Sequence, residues 1–178
     1  EKIGFTTPTN IQVQAIPQLL AGRDVVGKSQ TGTGKTAAFS LPILEQIDPQ
    51  NKAIQALILT PTRELAVQVC QAMKSFVDRN ESRILAIYGG QSIERQIQQL
   101  NRGVQIVVGT PGRVIDLLDR GNLKLDKVKF VVLDEADEML SMGFIDDVEK
   151  ILASAPKERQ TALFSATMPS AIQMLVGK

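Results

Sequence analysis

Short, largely apolar runs alternate with stretches of helical periodicity along most of the chain. Strands that are buried on both faces of a parallel sheet have such near-continuous apolar runs. The predicted strands are residues 24–27, 56–59, 84–87, 106–108, 130–133 and 161–164. The predicted helical stripes are Leu65, Val69, Met73 and Phe76; Ile93, Ile97 and Leu100; and Phe144, Val148 and Ile151. This alternation predicts a three-layer α/β domain with a mostly parallel β-sheet, helices on both faces and right-handed crossovers.

Two further helices are predicted in the first part of the chain. Thr9 is a candidate N-cap for a helix that places Ile11 and Leu19 on one face. A second helix begins with the run 37–41, and Pro42 is expected to kink or shorten it. The sequence shows no internal repeat, low-complexity tract or interdomain linker. The 178 residues are therefore predicted to form one domain.

The composition narrows the possible chemistry. The chain has no histidine, one cysteine and a net charge of +1. The absence of histidine excludes Ser-His-Asp triads, Cys-His pairs and histidine-ligated metals, so any general base is expected to be a carboxylate, with lysine, tyrosine or cysteine as alternatives. The lone Cys70 excludes an internal disulfide and a multi-cysteine zinc site, and it is expected in a helix core. The net charge excludes nucleic-acid binding by a bulk positive field and leaves binding by locally placed donors.

The sequence also favours a cytoplasmic location. No apolar run approaches the length of a membrane span, and no signal peptide is visible. A single cysteine suits a reducing compartment. The chain begins at Glu1, within a helix-like pattern and without an initiator methionine, so we expect it to be a piece of a longer protein.

One glycine-rich stretch lies between a predicted strand and a predicted helix. Its sequence is Ser29-Gln30-Thr31-Gly32-Thr33-Gly34-Lys35-Thr36. This context predicts a phosphate-binding loop, whose glycines let backbone N–H groups point at an anion next to a helix N-terminus. Lys35 is predicted to contact the β- and γ-phosphates of a nucleotide, and the Thr36 hydroxyl to ligate Mg²⁺. Ser29 replaces the usual first glycine, while Gly32 and Gly34 retain the tight curvature; a glycine turn that only caps a helix is the alternative.

An acidic pair follows the predicted strand 130–133. Downstream of a phosphate loop, Asp134 and Glu135 are the expected second half of a nucleoside-triphosphatase site. Asp134 is predicted to hold Mg²⁺, directly or through water. Glu135 is predicted to position and deprotonate the attacking water. Without the phosphate loop, the segment 134–137 would be interpreted as a solvated helix start.

Polar segments follow other strands at the edge where ligands bind in parallel α/β sheets. Thr-Pro occurs directly after two strands, at 60–61 and 110–111, and is followed by Arg63 and Arg113. In each case threonine can cap a helix and proline can take its first position. A helix N-terminus, a hydroxyl and an arginine are groups that contact nucleic-acid phosphates without recognising sequence. Each pattern by itself also fits an ordinary helix start, but two at one edge favour phosphate binding.

Two shorter features suit the same site. The amide of Gln12 offers a donor and an acceptor that match the N6 and N7 edge of adenine, although a solvated helix glutamine is the alternative. Ser165 and Thr167 follow the last predicted strand and can hydrogen-bond Asp137 or the γ-phosphate region. The alternative for this segment is a turn in which Thr167 caps the next helix.

These motifs, in this order, resemble the first RecA-like domain of a DEAD-box RNA helicase over essentially all 178 residues. They are the Q motif around Phe5, Thr7 and Gln12, the phosphate loop 29–36, Pro-Thr-Arg-Glu-Leu-Ala at 61–66, Gly89-Gly90, Thr-Pro-Gly-Arg at 110–113, Asp-Glu-Ala-Asp at 134–137 and Ser-Ala-Thr at 165–167. The resemblance implies a RecA-like domain with a Q-motif segment over 1–22 and a P-loop NTPase core over 23–178. The family's second RecA-like domain, which carries arginine fingers and the other half of the RNA site, is absent from this chain.

The resemblance also implies roles for individual residues. ATP with Mg²⁺ would be bound by Phe5, Thr7, Gln12, Ser29, Gln30, Thr31, Gly32, Thr33, Gly34, Lys35, Thr36, Asp134 and Glu135, and the catalytic residues would be Lys35, Asp134 and Glu135. The RNA backbone would be contacted by Pro61, Thr62, Arg63, Gly89, Gly90, Gln96, Thr110, Pro111, Gly112 and Arg113. The residues that couple hydrolysis to strand separation would be Asp137, Ser165, Ala166 and Thr167. Gln12 would give a preference for ATP over GTP.

The implied function of the complete protein is ATP-dependent unwinding of local RNA duplexes, with two domains closing over ATP and RNA. Because phosphoryl transfer depends on an arginine finger, this chain by itself is expected to be monomeric, to bind adenine nucleotide weakly and to hydrolyse it barely. Two other functions fit the same motifs: an ATP-dependent RNA clamp in a larger ribonucleoprotein, and a DNA-directed helicase or translocase. The Gln12 segment and the Asp-Glu-Ala-Asp motif argue against the DNA-directed alternative.

Overall fold

The computed structural model describes residues 4, 6–78 and 83–176. The strands are β1 (Val25–Lys28), β2 (Ala56–Leu59), β3 (Ile84–Ile87), β4 (Ile106–Gly109), β5 (Phe130–Asp134) and β6 (Gln160–Ser165). The helices are α1 (Asn10–Leu20), α2 (Lys35–Gln46), α3 (Arg63–Ser75), α4 (Ile93–Asn101), α5 (Pro111–Asp119), α6 (Ala136–Ser141), α7 (Ile145–Ala153) and α8 (Ser170–Val176). Every predicted strand is present, with its ends shifted by no more than one residue.

The six strands form one sheet in the order β1-β6-β5-β2-β4-β3. All the pairings are parallel, which confirms the predicted sheet type. The central strands β2, β4 and β5 are buried along their whole length, as expected for strands covered on both faces. Because the strands are parallel, all their carboxyl ends meet at one edge of the sheet, and this edge carries the candidate site.

Helices cover both faces of the sheet, which confirms the predicted three layers. Successive side chains of a strand point to opposite faces, so Ala56 and Ile58 pack with α1, α2 and α3, whereas Leu57 and Leu59 pack with α4 to α8. All four of these β2 side chains are fully buried. Burial of apolar area on both faces is the main stabilising contribution to the domain.

The predicted shortening of the helix at Pro42 is wrong, because α2 continues through this residue to Gln46, whereas the predicted kink stays a prediction. Proline removes one backbone hydrogen bond of a helix and crowds the preceding turn. Phe39 and Ile43 on either side of it are buried against the sheet. Tertiary packing of this face holds the helix together where local propensity disfavours it.

The predicted start of the helix after β2 is also wrong. Thr60 was expected to cap this helix, but α3 begins at Arg63 and its N-cap is Thr62. The Thr62 hydroxyl accepts a hydrogen bond of 3.2 Å from the backbone N–H of Leu65. Thr60 is fully buried and donates from its hydroxyl to the Thr62 carbonyl. The loop after β2 is therefore two residues longer than predicted.

Two expectations drawn from composition can be compared with the fold. Cys70 lies in α3 and is 4% exposed, as predicted. Burial raises the pKa of its thiol, so Cys70 is a packing residue and not a reactive thiolate. Among the helices of the described residues, none has the length and apolar character needed to cross a membrane.

Candidate functional site

The loop between β1 and α2 has the curvature of a phosphate-binding loop. Gly32 and Gly34 adopt positive φ angles of 81° and 84°, a conformation that glycine adopts without strain. A Cβ atom at Gly34 would lie 2.6 Å from Nε2 of Gln12, so α1 packs directly against the loop. The first turn of α2 begins at Lys35, and the N–H groups of a first turn have no partners within the helix. The loop therefore presents donors and a helix N-terminus at the carboxyl edge of the sheet.

Lys35 lies between the two carboxylates that follow β5. Its Nζ is 3.0 Å from Oδ1 of Asp134 and 3.4 Å from Oε1 of Glu135. Lys35 is 5% exposed and Asp134 is fully buried, so their interaction is little screened by water. The three residues predicted to be catalytic are thus in contact, although they come from segments about 100 residues apart.

The Asp134 carboxylate is buried with few partners. Neither of its oxygens accepts a hydrogen bond of good geometry. Burial raises the pKa of Asp134, and the nearby Lys35 ammonium opposes that rise. A buried carboxylate with unused lone pairs fits a hard divalent cation. The described residues contain no group of three acidic, cysteine or histidine side chains that could hold a metal, so Mg²⁺ here would need oxygen ligands from Thr36, water and a bound phosphate.

Glu135 has an unusual backbone conformation and a side chain that contacts the phosphate loop. Its φ of 53° is the one positive value at a non-glycine position in the described part of the chain. Such strain is concentrated at functional sites. Oε1 of Glu135 accepts a hydrogen bond of 3.2 Å from the hydroxyl of Thr31, in addition to its contact with Lys35. Both contacts use the same carboxylate oxygen, Oε1, and the role of Glu135 as a general base stays a prediction.

Gln12 links α1 to the phosphate loop through both ends of its amide. Oε1 accepts from the backbone N–H of Thr9 at 3.0 Å, and Nε2 donates to the carbonyl of Gly34 at 3.1 Å. Thr9 is the N-cap of α1, as predicted. Gln12 is 6% exposed. Its amide retains one N–H hydrogen and one lone pair for a ligand, so adenine recognition by this residue stays a prediction.

Hydrogen bonds join the start of α6 to the segment after β6. Oδ2 of Asp137 accepts from the backbone N–H and the hydroxyl of Thr167, at 3.0 and 2.9 Å. The Ser165 hydroxyl accepts from the Asp137 N–H, and the Ser165 carbonyl accepts from the N–H of Ser29. Burial alone would raise the pKa of Asp137, but the contacts with Thr167 and Ser165 outweigh it and lower the pKa. The predicted contacts with Asp137 are therefore present, and the coupling role stays a prediction.

Arginine side chains from two helices lie near the turn after β3. The guanidinium of Arg63 stacks over the ring of Tyr88, 5.3 Å from its centroid. Nη1 of Arg113 donates to Oε1 of Gln96 at 3.0 Å, and both terminal nitrogens donate to the Gln91 carbonyl at 3.2 Å. Gln96 completes the link by donating to the Tyr88 carbonyl at 3.0 Å. Two cationic side chains are thus oriented at the edge of the sheet that holds the phosphate loop.

Three residues predicted to contact RNA are placed below the surface. Gln96 is 1% exposed, and Pro61 and Pro111 are buried. A direct contact of these side chains with RNA is therefore not supported. Gln96 instead accepts a hydrogen bond from Arg113, Pro61 lies in the turn before α3, and Pro111 is the first residue of α5. By contrast, the exposed members of the predicted set are Arg63, Gly89, Gly90 and Gly112, with Thr62, Thr110 and Arg113 partly exposed.

Other predicted site residues are distributed as follows. Phe5 lies outside the described residues, and Thr7 is exposed at the start of the described chain. Gln30, Thr31 and Ala166 are also exposed, and Thr33 and Thr36 are partly exposed. The contributions of Tyr88 and of the Gln91 carbonyl were not assigned from the sequence. Tyr88 could have been singled out from the sequence, because it is the one tyrosine of the chain and directly precedes Gly89-Gly90.

The chain is similar to characterised proteins over nearly its whole length. RNA helicase CrhR of Synechocystis sp. is 66% identical over 176 residues, which are 99% of this chain and 36% of that protein. ATP-dependent RNA helicase DeaD of Escherichia coli is 58% identical over 174 residues, which are 97% of this chain and 28% of that protein. The chain thus spans between 28% and 36% of the length of these two relatives.

Structural similarity supports the same relationship. The crystal structure of a DEAD box protein from the hyperthermophile Methanococcus jannaschii matches with a TM-score of 0.95 at 49% identity, covering 99% of this chain and 48% of that one. This match confirms the predicted RecA-like fold. A statistical description of the DEAD/DEAH box helicase family matches residues 9–175. The chain, which carries Asp-Glu-Ala-Asp at 134–137, therefore belongs to the DEAD/DEAH box helicase family.

Proposed function

We propose that this chain is the N-terminal, ATP- and RNA-binding half of an ATP-dependent RNA helicase that acts in the cytoplasm. In the complete protein it would couple ATP hydrolysis to local RNA unwinding, together with a second RecA-like domain in cis. Within the chain, the Q-motif segment would be residues 1–22 and the P-loop NTPase core residues 23–178. The observation that carries the proposal is the contact of Lys35, at the start of α2, with Asp134 and Glu135 at the end of β5.

The geometry supports different roles for Lys35 and Glu135. Lys35, at the end of a loop rich in backbone donors, would neutralise the β- and γ-phosphates of ATP. Since its ammonium is now engaged by two carboxylates, bound phosphate would compete with them for it. Glu135 would orient water and accept its proton.

A divalent cation would complete the charge balance of the site. The buried, under-partnered carboxylate of Asp134 fits Mg²⁺, and the Thr36 hydroxyl in the first turn of α2 would supply a second oxygen. When bound, Mg²⁺ neutralises negative charge that develops on the phosphates. It would also compensate the buried charge of Asp134, which has the Lys35 ammonium as its ion-pair partner.

RNA would be bound along its phosphate backbone at the same edge of the sheet. Arg63 and Arg113 are oriented by Tyr88 and Gln96, and the exposed glycines at 89, 90 and 112 let a backbone approach closely. Contacts of this kind position a strand without recognising its sequence. Asp137, Ser165 and Thr167 connect the end of β6 with the acidic motif, and we assign to this connection the coupling of the two sites.

Adenine selectivity is tested by calorimetric titration of this chain with ADP–Mg²⁺ and GDP–Mg²⁺. We expect ADP to bind about tenfold or more tightly than GDP, because a bidentate amide–adenine contact is worth about 1–3 kcal/mol. Gln12→Ala is expected to remove this preference by weakening ADP binding. Gln14→Ala, on an exposed position of the same helix, is the matched control and is expected to keep it.

Comparing ADP with GDP in that titration separates a loss of adenine recognition from a disturbance of the phosphate loop. Gln12 also bonds to the Gly34 carbonyl, so its removal could disturb the phosphate loop, and this would weaken GDP and ADP to the same degree. Equal binding of ADP and GDP by the unaltered chain would contradict the proposed role of Gln12. Absence of binding of either nucleotide would contradict the proposed function itself.

The orienting role of Gln96 is tested by a double-mutant cycle with Arg113. We expect Gln96→Leu to weaken RNA binding several-fold, by about 1 kcal/mol, because it removes the hydrogen bond that orients the guanidinium. In an Arg113→Ala background the same change is expected to have no further effect. Fluorescence anisotropy with a labelled RNA gives the four affinities.

Gln98→Leu, on the exposed side of α4, is the control for the change of residue type and is expected to leave RNA binding unaltered. Additive effects of Gln96→Leu and Arg113→Ala would show that Gln96 does not act through Arg113. If Arg113→Ala left RNA affinity unchanged, the RNA surface proposed at this edge would be wrong.

A further inference from the structure

A second charged surface lies at the opposite edge of the sheet from the phosphate loop. The segments that enter β2, β3, β4 and β5 meet there, because the amino ends of parallel strands share an edge. Two adjoining cavities of about 520 and 340 Å³ open at this edge. The cationic residues that line them, which together define the basic groove, are Lys52, Lys124 and Lys127 in the larger cavity and Lys74, Arg83 and Arg102 in the smaller.

The positive charge of the basic groove is largely uncompensated. Among the residues that the structure describes, Asp126 is the one acidic residue that lines either cavity. The ion pairs found among the described residues involve Lys35, Arg120 and Lys150, none of which lies in the groove. Because the whole chain has a net charge of +1, six cations facing one carboxylate make this edge strongly positive relative to the rest of the surface.

Local contacts orient cations of both cavities around one turn. The Arg83 guanidinium donates to the backbone carbonyl of Arg102. At the next residue, a Cβ on Gly103 would lie 3.0 Å from Cβ of Lys52, and the φ of Gly103 is 88°. Glycine at this position thus lets the aliphatic stem of Lys52 pack across the turn. Side chains that are already oriented lose less conformational entropy when they bind a ligand.

We propose that the basic groove is a second RNA-binding surface, which holds the phosphate backbone of RNA outside the segment bound at the carboxyl edge. The identity of the polymer rests on the proposed function. The two surfaces are separated by the length of the four-residue strands, about 13 Å. One RNA that passes around the domain could therefore occupy both.

The lining of the basic groove favours nucleic acid over a protein partner. Protein interfaces are built around apolar and aromatic anchors. The large hydrophobic side chains that are exposed in the described residues all lie outside the groove, at Val13, Leu20, Val26, Leu41, Met142 and Met174. The apolar residues that line the groove, among them Ile54, Leu85 and Leu100, are partly buried in the core. The exposed lysines and arginines around them are the groups that neutralise phosphates and release counterions.

The test compares two pairs of charge-neutralising substitutions in this chain. Lys124→Gln with Lys127→Gln removes two groove cations, and Arg23→Gln with Lys150→Gln removes two exposed cations that line neither cavity. Binding of a fluorescent single-stranded RNA of about ten nucleotides is measured as a function of salt. We expect the groove pair to weaken binding about tenfold at low salt and to reduce the slope of log K against log salt by about 1.4, because each phosphate contact contributes about 0.7. The control pair is expected to leave affinity and slope unchanged, and thermal unfolding followed by circular dichroism checks that both variants are folded.

An Arg63→Ala, Arg113→Ala background separates the groove from the RNA surface at the carboxyl edge. Salt-dependent RNA binding that persists in this background and is lost with the groove substitutions supports the proposal. Equal effects of the groove and control pairs would overturn the proposal that the groove binds RNA, and so would a loss of all RNA binding in this background. Neither result would contradict the proposed function, which is tested by nucleotide binding. Tighter binding of labelled poly-glutamate than of RNA also overturns it, in favour of an acidic protein partner.

Discussion

Replacing Lys35 with methionine is expected to abolish nucleotide binding and to destabilise the domain most strongly near neutral pH. The loss of binding follows from removal of the cation that the structure places at the phosphate loop, in contact with Asp134 and Glu135. We expect ADP affinity to fall by at least about a hundredfold, since charge-assisted contacts of this kind are worth about 1.5–3 kcal/mol each. Calorimetric titration with ADP–Mg²⁺ measures it.

The loss of stability comes from leaving the buried Asp134 without its partner. Removing one member of a buried ion pair costs about 3–5 kcal/mol. Burial raises the pKa of Asp134 and Lys35 opposes the rise, so without Lys35 the pKa is raised further. An acid whose pKa is higher in the folded state favours folding below its unfolded pKa, about 3.9, and this contribution is lost as pH rises through the folded pKa. The deficit relative to the unaltered chain should therefore be smallest in acid and grow toward neutral pH.

Urea unfolding at a series of pH values measures this deficit. Lys28→Met, on an exposed lysine at the end of β1, is the matched control and is expected to change the free energy of unfolding by less than about 0.5 kcal/mol. Adding Asp134→Asn to Lys35→Met should restore most of the stability at neutral pH, because no buried charge then lacks a partner. It should not restore nucleotide binding. A deficit that is the same in acid and at neutral pH would contradict this account.

The fold could be predicted from the sequence because burial imposes a visible pattern. The strands β2, β4 and β5 lie in the centre of the sheet and are buried on both faces, so their residues are apolar except where β5 ends in the site at Asp134. The failure at Pro42 has the opposite origin. Whether a proline ends a helix depends on how firmly the neighbouring turns are packed, and the burial of Phe39 and Ile43 depends on the tertiary structure.

The sequence could nominate the residues of the candidate site, and the structure brings Lys35, Asp134 and Glu135 together, but the individual contacts could not be predicted. Short motifs identify Lys35 and Glu135 because their residue types and spacing are required by phosphate binding. The hydrogen bond between Thr31 and Glu135 joins residues 104 positions apart in the sequence, and a local sequence pattern cannot predict such a contact. Gln96 belongs to a polar stretch of α4 and would be taken for a surface residue. It is buried because Tyr88 and Arg113, from two other segments, supply its amide with partners.

Glu135→Gln is expected to separate nucleotide binding from hydrolysis. The substituted amide has nearly the same shape as the carboxylate, and its oxygen can still accept from the Thr31 hydroxyl. Since it cannot accept a proton from water, ATP turnover by the complete RNA-stimulated protein should fall by about 10²–10⁴. ADP binding by this chain should change by less than about threefold, because Lys35 and the backbone donors of the loop remain. Single-turnover hydrolysis and calorimetric titration give the two quantities.

Glu138→Gln is the matched control, because Glu138 is an exposed glutamate in the first turn of α6, the helix for which Glu135 is the N-cap. Both changes remove one negative charge near the end of β5. A difference between them therefore reports the position of the Glu135 carboxylate and not the change in net charge. A general base at Glu135 requires a large loss of turnover for Glu135→Gln and almost none for Glu138→Gln. If both variants lost turnover to the same small extent, the carboxylate would act through the local field alone, and the proton of the attacking water would have another acceptor. The strained φ of Glu135 would then need an explanation other than the placement of its carboxylate.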